Sequence, residues 1–223
     1  YGGAQADGAS LAALAIMLST SFGKQAVLWA RHEALASEIG APYPAGLLEL
    51  GLDPALILLV RVRDVTSALQ VSLEGARCAS LSAVIVELWG ETKIYDLTAS
   101  RRLALAAKTS GVGVFVLRVG ATPVPSAAET RWQVRAMPSL ALPVRAPGRP
   151  AFHLTLLRAR NGIEGVQHQL EWDRDARQFI SRPHSDVTFE EPAASQRHAP
   201  VSGSVVSLPP DRSGQTQPWR EAG

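Results

Sequence analysis

The stretch that most constrains this chain is Ala83–Glu91, AVIVELWGE. It is a short, β-branched, apolar run interrupted by a carboxylate and closed by a glycine, which reads as a buried central strand. In an open α/β sheet, a charge at the C-terminal end of such a strand faces the crevice where these folds bind ligands, so Glu87 is the first functional candidate. The alternative is a strand-ending glutamate that simply reaches water.

The segments on either side set the fold class. A helix is expected from Ser10 to Phe22, closed by Gly23, followed by a buried strand at Ala26–Trp29 that ends in Arg31, His32 and Glu33. A Pro-bounded short helix follows at Tyr43–Leu52 and a strand at Leu56–Val62. Asp64 caps a helix that runs through Ala79, with Cys78 inside it and buried. Past the central strand, Asp96 caps a helix through Lys108, Gly111 stops it, and Val112–Val119 is another buried strand. Helices alternating with apolar strands require a parallel sheet covered on both faces. The texture then changes. Thr130–Met137 alternates as an exposed strand, Phe152–Arg158 alternates again, and Gly165–Trp172 returns after a turn at Asn161–Gly162, as antiparallel strands added to one edge.

The chain has 223 residues, enough for one sizeable domain plus a tail. The domain is expected over residues 1–181. From 182 to 223 the composition turns Pro- and Ser-rich, too poor in large apolar groups to offset ordering entropy, so a disordered tail is expected. Its apolar spots, Val205–Leu208 and Trp219, have the form of docking peptides. No run approaches the ~18 apolar residues of a membrane span. The single cysteine excludes an intramolecular disulfide framework and suits a reducing, cytoplasmic setting. The five histidines are scattered without metal-ligand spacing, and no Gly-x-Ser-x-Gly elbow is present.

Gly3–Ser10 has the glycine spacing of a phosphate loop, G-x-x-x-x-G-K-[ST], with Ala9 in place of the lysine. In such loops backbone N–H groups curl around phosphates, the lysine neutralises them and the Ser/Thr holds Mg²⁺. Gly3, Gly8, Ser10 and Glu87 therefore form a candidate, degenerate nucleotide site. Two glycines so spaced also arise by chance in a Gly-rich segment.

Net charge is +2, but it is unevenly spread. Residues 101–160 carry ten Lys/Arg against one acidic residue, Glu129, whereas the segments on either side are acidic. Such an excess is a footprint for polyanions, or a means of keeping a sheet soluble. Arg131, Arg135, Arg158, Arg160 and Asn161 are candidate DNA contacts. Alternation places Trp132 on the opposite side of its strand from Arg131 and Arg135, where it either stacks on a base or packs into the core.

Seven segments, LWARHEAL (28–35), GLDPALILLVR (51–61), AVIVELWGE (83–91), DLTASRRLALAAKTSGV (96–112), SAAETRW (126–132), APGRPAFHLTLLRARNG (146–162) and LEWDRD (170–175), together resemble the ImuA family. The resemblance implies a RecA-like P-loop α/β fold, with a strand before Gly3 that this sequence is expected to lack. It places the phosphate loop at Gly3–Ser10, the metal-side carboxylate at Glu87 and the catalytic glutamate position near His32 or Glu33. ATP with Mg²⁺ is the cofactor of such a loop, and Ala9 argues against its turnover. The implied function is an accessory role in SOS-induced, error-prone translesion DNA synthesis. The implied partners are an ImuB-like inactive Y-family polymerase relative and an error-prone C-family DNA polymerase, together with DNA and self-association. A DNA-stimulated ATPase that remodels recombinase or polymerase is the competing expectation.

Overall fold

The computed structural model describes residues 1–4, 7–23, 26–33, 40–140 and 148–182. They lie in one compact unit, Tyr1–His184. The expected tail, with its apolar islands, falls outside the described residues apart from Arg182.

Four parallel strands form one sheet, in the order β2-β1-β3-β4. These are β1 (Ala26–His32), β2 (Ile57–Val62), β3 (Leu81–Trp89) and β4 (Gly113–Val119). The connections carry α1 (Gly8–Ser19) before β1, α2 (Pro44–Glu49) before β2, α3 (Val65–Arg77) before β3 and α4 (Leu97–Ser110) before β4. Asp64 accepts from the Ser67 N–H at 2.7 Å and Asp96 from the Ala99 N–H at 2.7 Å, so both expected caps form. Gly111 closes α4 in the left-handed conformation, with φ of 79°.

The second sheet is an antiparallel meander of β5 (Thr130–Met137), β6 (Ala151–Ala159), β7 (Gln167–Asp173) and β8 (Gln178–Ser181). Tyr1 and Gly2 join the two sheets. The Gly2 N–H donates to Arg118 O at 2.9 Å and the Gly120 N–H to Gly2 O at 3.0 Å, while the Val134 N–H donates to Tyr1 O at 2.9 Å. The Tyr1 nitrogen lies 2.7 Å from Trp132 O. The segment leading into the phosphate loop therefore occupies the slot between β4 and β5. β5 is the terminal strand of the antiparallel sheet and alternates as expected, with Val134 covered and Thr130 and Ala136 exposed.

Two cores result. On one face, Leu11, Leu14 and Met17 of α1 pack on Val27, Trp29, Ile85 and Val119, and the same core continues under Val134, Phe152, Leu154 and Trp172. On the other, α3 and α4 cover Leu28, Val84, Val86 and Leu88 through Ala68, Ala76 and Leu103. Helices on both faces explain why β3 can be apolar along nearly its whole length. Cys78 departs from expectation: α3 stops one residue earlier and the thiol is exposed. Among the described residues no helix is long and apolar enough to cross a membrane.

Candidate functional site

The phosphate-loop segment lies at the C-terminal ends of the parallel strands, on the face that α1 covers. Its turn is closed by its own atoms. The Asp7 Oδ2 accepts from the Ala4 N–H at 3.0 Å, and the Asp7 N–H donates to Ala4 O at 3.1 Å. A backbone donor of the kind that cradles a phosphate is thus already engaged by a carboxylate. Gly8 opens α1 against the Trp89 indole, and a Cβ there would meet Cζ2 at 2.9 Å. The glycine serves packing against a side chain as well as the turn. Ser10 is half-buried in the first turn of α1, and Gly3 is exposed.

Glu87 lies on the same face, 2% exposed. The Trp89 Nε1–H donates to its Oε1 at 2.9 Å, and the Arg31 Nε approaches its Oε2 at 3.0 Å. The latter is a charge contact without hydrogen-bond alignment, because both atoms remain without a hydrogen-bond partner. Strand register explains the meeting, since Arg31 of β1 is the direct neighbour of Glu87 on β3. The guanidinium also donates from Nη1 to Gly40 O at 2.7 Å and sits 6.0 Å from the Trp29 ring centroid. Both carboxylate oxygens therefore face protein donors. Breaking such a buried pair from one side leaves an uncompensated charge, a loss of about 3–5 kcal/mol. Of the groups expected near the catalytic-glutamate position, His32 ends β1 half-buried and Glu33 is exposed just beyond it.

The residues present do not fit a Mg²⁺-nucleotide. The loop has no lysine, its Ala4 donor is held by Asp7, and Glu87 is paired with a guanidinium where a metal would need an open oxygen. Among the described residues no group of three or more His, Cys, Asp or Glu could hold a metal ion.

A second charged cluster was not foreseen in the sequence. Arg118 near the end of β4 is 1% exposed, with its guanidinium 5.9 Å from the Tyr1 ring and 5.5 Å from the Tyr95 ring. Its Nη2–H donates to Gly90 O at 3.3 Å, and the partly exposed Glu91 carboxylate lies 3.8 Å away. Cation–π contact with two rings takes the place of a close counter-ion. Glu91 is itself fixed by the Thr122 N–H and hydroxyl, both at 2.7 Å, which hold its carboxyl below the usual range. Burial raises the Tyr95 phenol. The available signal was parity: Arg118 faces the α3/α4 core with Leu88, its register partner on β3.

The candidate DNA residues divide between two faces of the antiparallel sheet. Arg131 pairs with Arg158, Gln133 with Thr155 and Arg135 with His153, and a register shift between Arg131 and Trp132 lets both arginine pairs share the outer face. Arg158 is exposed; Arg131, which donates to Ser126 Oγ at 3.4 Å, and Arg135 are half-covered. Arg160 is exposed at the end of this row but tied to Ala127 O at 3.2 Å and near Glu129 at 3.8 Å. Asn161 accepts from the Ile163 N–H in the adjoining turn. Trp132 points the other way, packed against the α1-side core and 5.9 Å from the His168 ring.

No protein-family model matches the chain. Protein ImuA of Caulobacter vibrioides (strain NA1000 / CB15N) is 31% identical over 170 residues, covering 71% of this chain and 64% of that protein. Protein ImuA of strain ATCC 19089 / CIP 103742 / CB 15 matches to the same extent. The chain thus spans 64%, a little under two thirds, of the curated relatives it matches. Among solved structures, the crystal structure of the RadB recombinase aligns at a TM-score of 0.51 over 80% of this chain and 87% of that one, with 14% identity. The crystal structure of SulA from Pseudomonas aeruginosa covers 50% of this chain and 86% of that one at 22% identity, with a TM-score of 0.38, too low to bear on the fold. By sequence the chain is a relative of the ImuA proteins, and its fold is the RecA-like one that the RadB recombinase shares.

Proposed function

We propose that this chain is a non-hydrolysing accessory protein of DNA-damage-induced mutagenesis, working through protein and DNA contacts in error-prone translesion synthesis. The kinship with ImuA supports the process. One observation carries the molecular reading: the loop's Ala4 donor is bonded by Asp7, and the buried Glu87 carboxylate is bonded by Trp89 and ion-paired with Arg31. Charge stabilisation is most of what a protein contributes to phosphoryl transfer, and here those charges are spent on one another. The proposed partners are an ImuB-like inactive Y-family polymerase relative and an error-prone C-family polymerase, in the cytoplasm after SOS induction. DNA is proposed to run along the outer face bearing Arg131, Arg135 and Arg158.

The second reading is a DNA-stimulated ATPase, favoured by the convergence of loop, α1 and Glu87 on one face at the C-terminal strand ends. ATP turnover separates the two. Purified protein with Mg²⁺ and single-stranded DNA is expected to release no phosphate above background. Turnover that Glu87→Gln abolishes would establish the ATPase reading instead.

A further inference from the structure

The nucleotide-loop residues and the outer sheet face leave one built surface unused, the furrow between α3 and α4. Two adjoining depressions, of about 480 and 290 Å³, both include Arg102 in their walls. Along the furrow lie Leu69 and Leu73 of α3 and Leu103 and Ala106 of α4. The Ser110 hydroxyl donates to Ala76 O at 2.6 Å and closes one end, so the two helices are held together and the furrow is part of the framework.

Its surroundings are apolar and positive at once. Leu105 stands 68% exposed in the wall, and Ile94 is half-exposed at the opposite end. Arg101, Arg102 and Lys108 are exposed on α4 and form no ion pair among the described residues. The acidic groups nearby are already committed. Glu74 holds Arg77 at 2.7 Å, and Asp96 caps α4 through the Ala99 N–H. Among the described residues no aromatic ring lines the furrow on which a nucleobase could stack.

We propose that the α3/α4 furrow is a docking site for an acidic amphipathic helix of a partner protein, its leucine-type side chains on Leu69, Leu73 and Leu105 and its carboxylates on Arg101, Arg102 and Lys108. The dimensions suit this occupant: the 13 residues of α3 rise about 20 Å, the length of a helix of about 13 residues. Helix-in-groove recognition places apolar anchors at i, i+3/i+4 and i+7, and charge complementarity sets which amphipathic helix enters. The proposal rests on the accessory reading, in which the chain acts by recruiting proteins, but it concerns a different face from the nucleotide loop.

The test is a titration of the whole chain with two fluorescein-labelled synthetic helices of about 14 residues, identical in their leucine stripe and carrying either Glu or Lys elsewhere. Only the Glu peptide is expected to bind. Arg102→Glu is expected to weaken it tenfold or more, about 1.4 kcal/mol. Leu105→Asp should do the same, whereas Arg135→Ala should leave it unchanged. Both furrow positions are exposed, and unchanged thermal unfolding of the variants confirms that they fold. Failure of the Glu peptide to bind, equal binding of the Lys peptide, or affinity indifferent to Arg102→Glu overturns the proposal. So does displacement of the peptide by oligo(dT), which would make the furrow a nucleic-acid site, or loss of a self-associated state in Arg102→Glu, which would make it an interface between copies. ATP turnover would contradict the accessory reading without touching the peptide result, so the two failures are distinguishable.

Discussion

Arginines do opposite work in the parallel and the antiparallel sheet. In the parallel sheet, Arg31 and Arg118 are buried at the strand ends, one against Glu87 and the other between two tyrosine rings. In the antiparallel sheet, Arg135 and Arg158 lie on the outer face without an ion pair among the described residues. A guanidinium removed from water must be compensated internally and becomes part of the framework. One left at the surface keeps its charge available for a partner. At the strand ends of the parallel sheet the guanidiniums belong to the framework, while on the outer face of the antiparallel sheet and on α4 they stay at the surface.

The largest effect that could break this contrast concerns the buried pair. Arg31→Ala is expected to destabilise the fold by about 3–5 kcal/mol, because Glu87 is left charged and unpaired. Arg31→Met combined with Glu87→Leu should recover most of that loss, since neither desolvated charge remains. Denaturant melts of the two variants decide it. If Arg31→Ala unfolds at the same midpoint as the parent, the pair is not structural and Glu87 regains its standing as a ligand group.

A smaller effect would sharpen the other side. Arg135→Ala with Arg158→Ala should leave the melt unchanged within about 0.5 kcal/mol, as surface changes do. If both contact phosphates, the slope of log K against log salt for single-stranded DNA falls by about 1.4, at roughly 0.7 per contact. An unchanged slope would reduce the outer face to a solvated surface.

How much of this was legible follows the same division. The strand and helix order was open to reading because burial on both faces imposes apolar runs, and because Asp64, Asp96 and Gly111 mark helix ends locally. Glu87 stood out for the same reason, as a carboxylate inside a run built for burial. Its partner did not. Arg31 meets Glu87 through register across two strands that are more than fifty residues apart, and nothing near either residue encodes that register. The backbone bonds of Tyr1 and Gly2 to β4 and β5 are likewise visible only once those strands are in place. β8 was missed because it has four residues, and its turn uses Arg177 at a φ of 50° where a glycine would have announced it. Cys78 was placed inside a helix because the apolar periodicity of α3 runs on to Ala79, past the point where Gly75 and Cys78 end it.

The smallest effect concerns pH. The Ser67 N–H and hydroxyl hold the Asp64 carboxyl below its ordinary value, and the Ala176 N–H and Arg149 do so for Asp173. A carboxyl lowered on folding contributes stability that is complete above its unfolded value, near pH 4, and is lost as pH falls through the folded value. Asp64→Asn should therefore cost most above about pH 4, where the contribution of the lowered carboxyl is complete, and progressively less as pH falls, which flattens the acid side of the stability profile. A parallel downward shift at every pH would mean that the charge of Asp64 contributes nothing beyond its hydrogen bond.

The pairing of Tyr1 and Gly2 has a colloidal consequence. β4 and β5 each turn one row of backbone donors and acceptors toward this dipeptide, and an unpaired strand edge is a template on which another chain can add. Tyr1 and Gly2 therefore engage part of both edges. When they leave their slot, the helices and strands can persist, yet the molecule gains a pair of adhesive edges in its middle, so the hazard of losing this contact is clumping before it is unfolding.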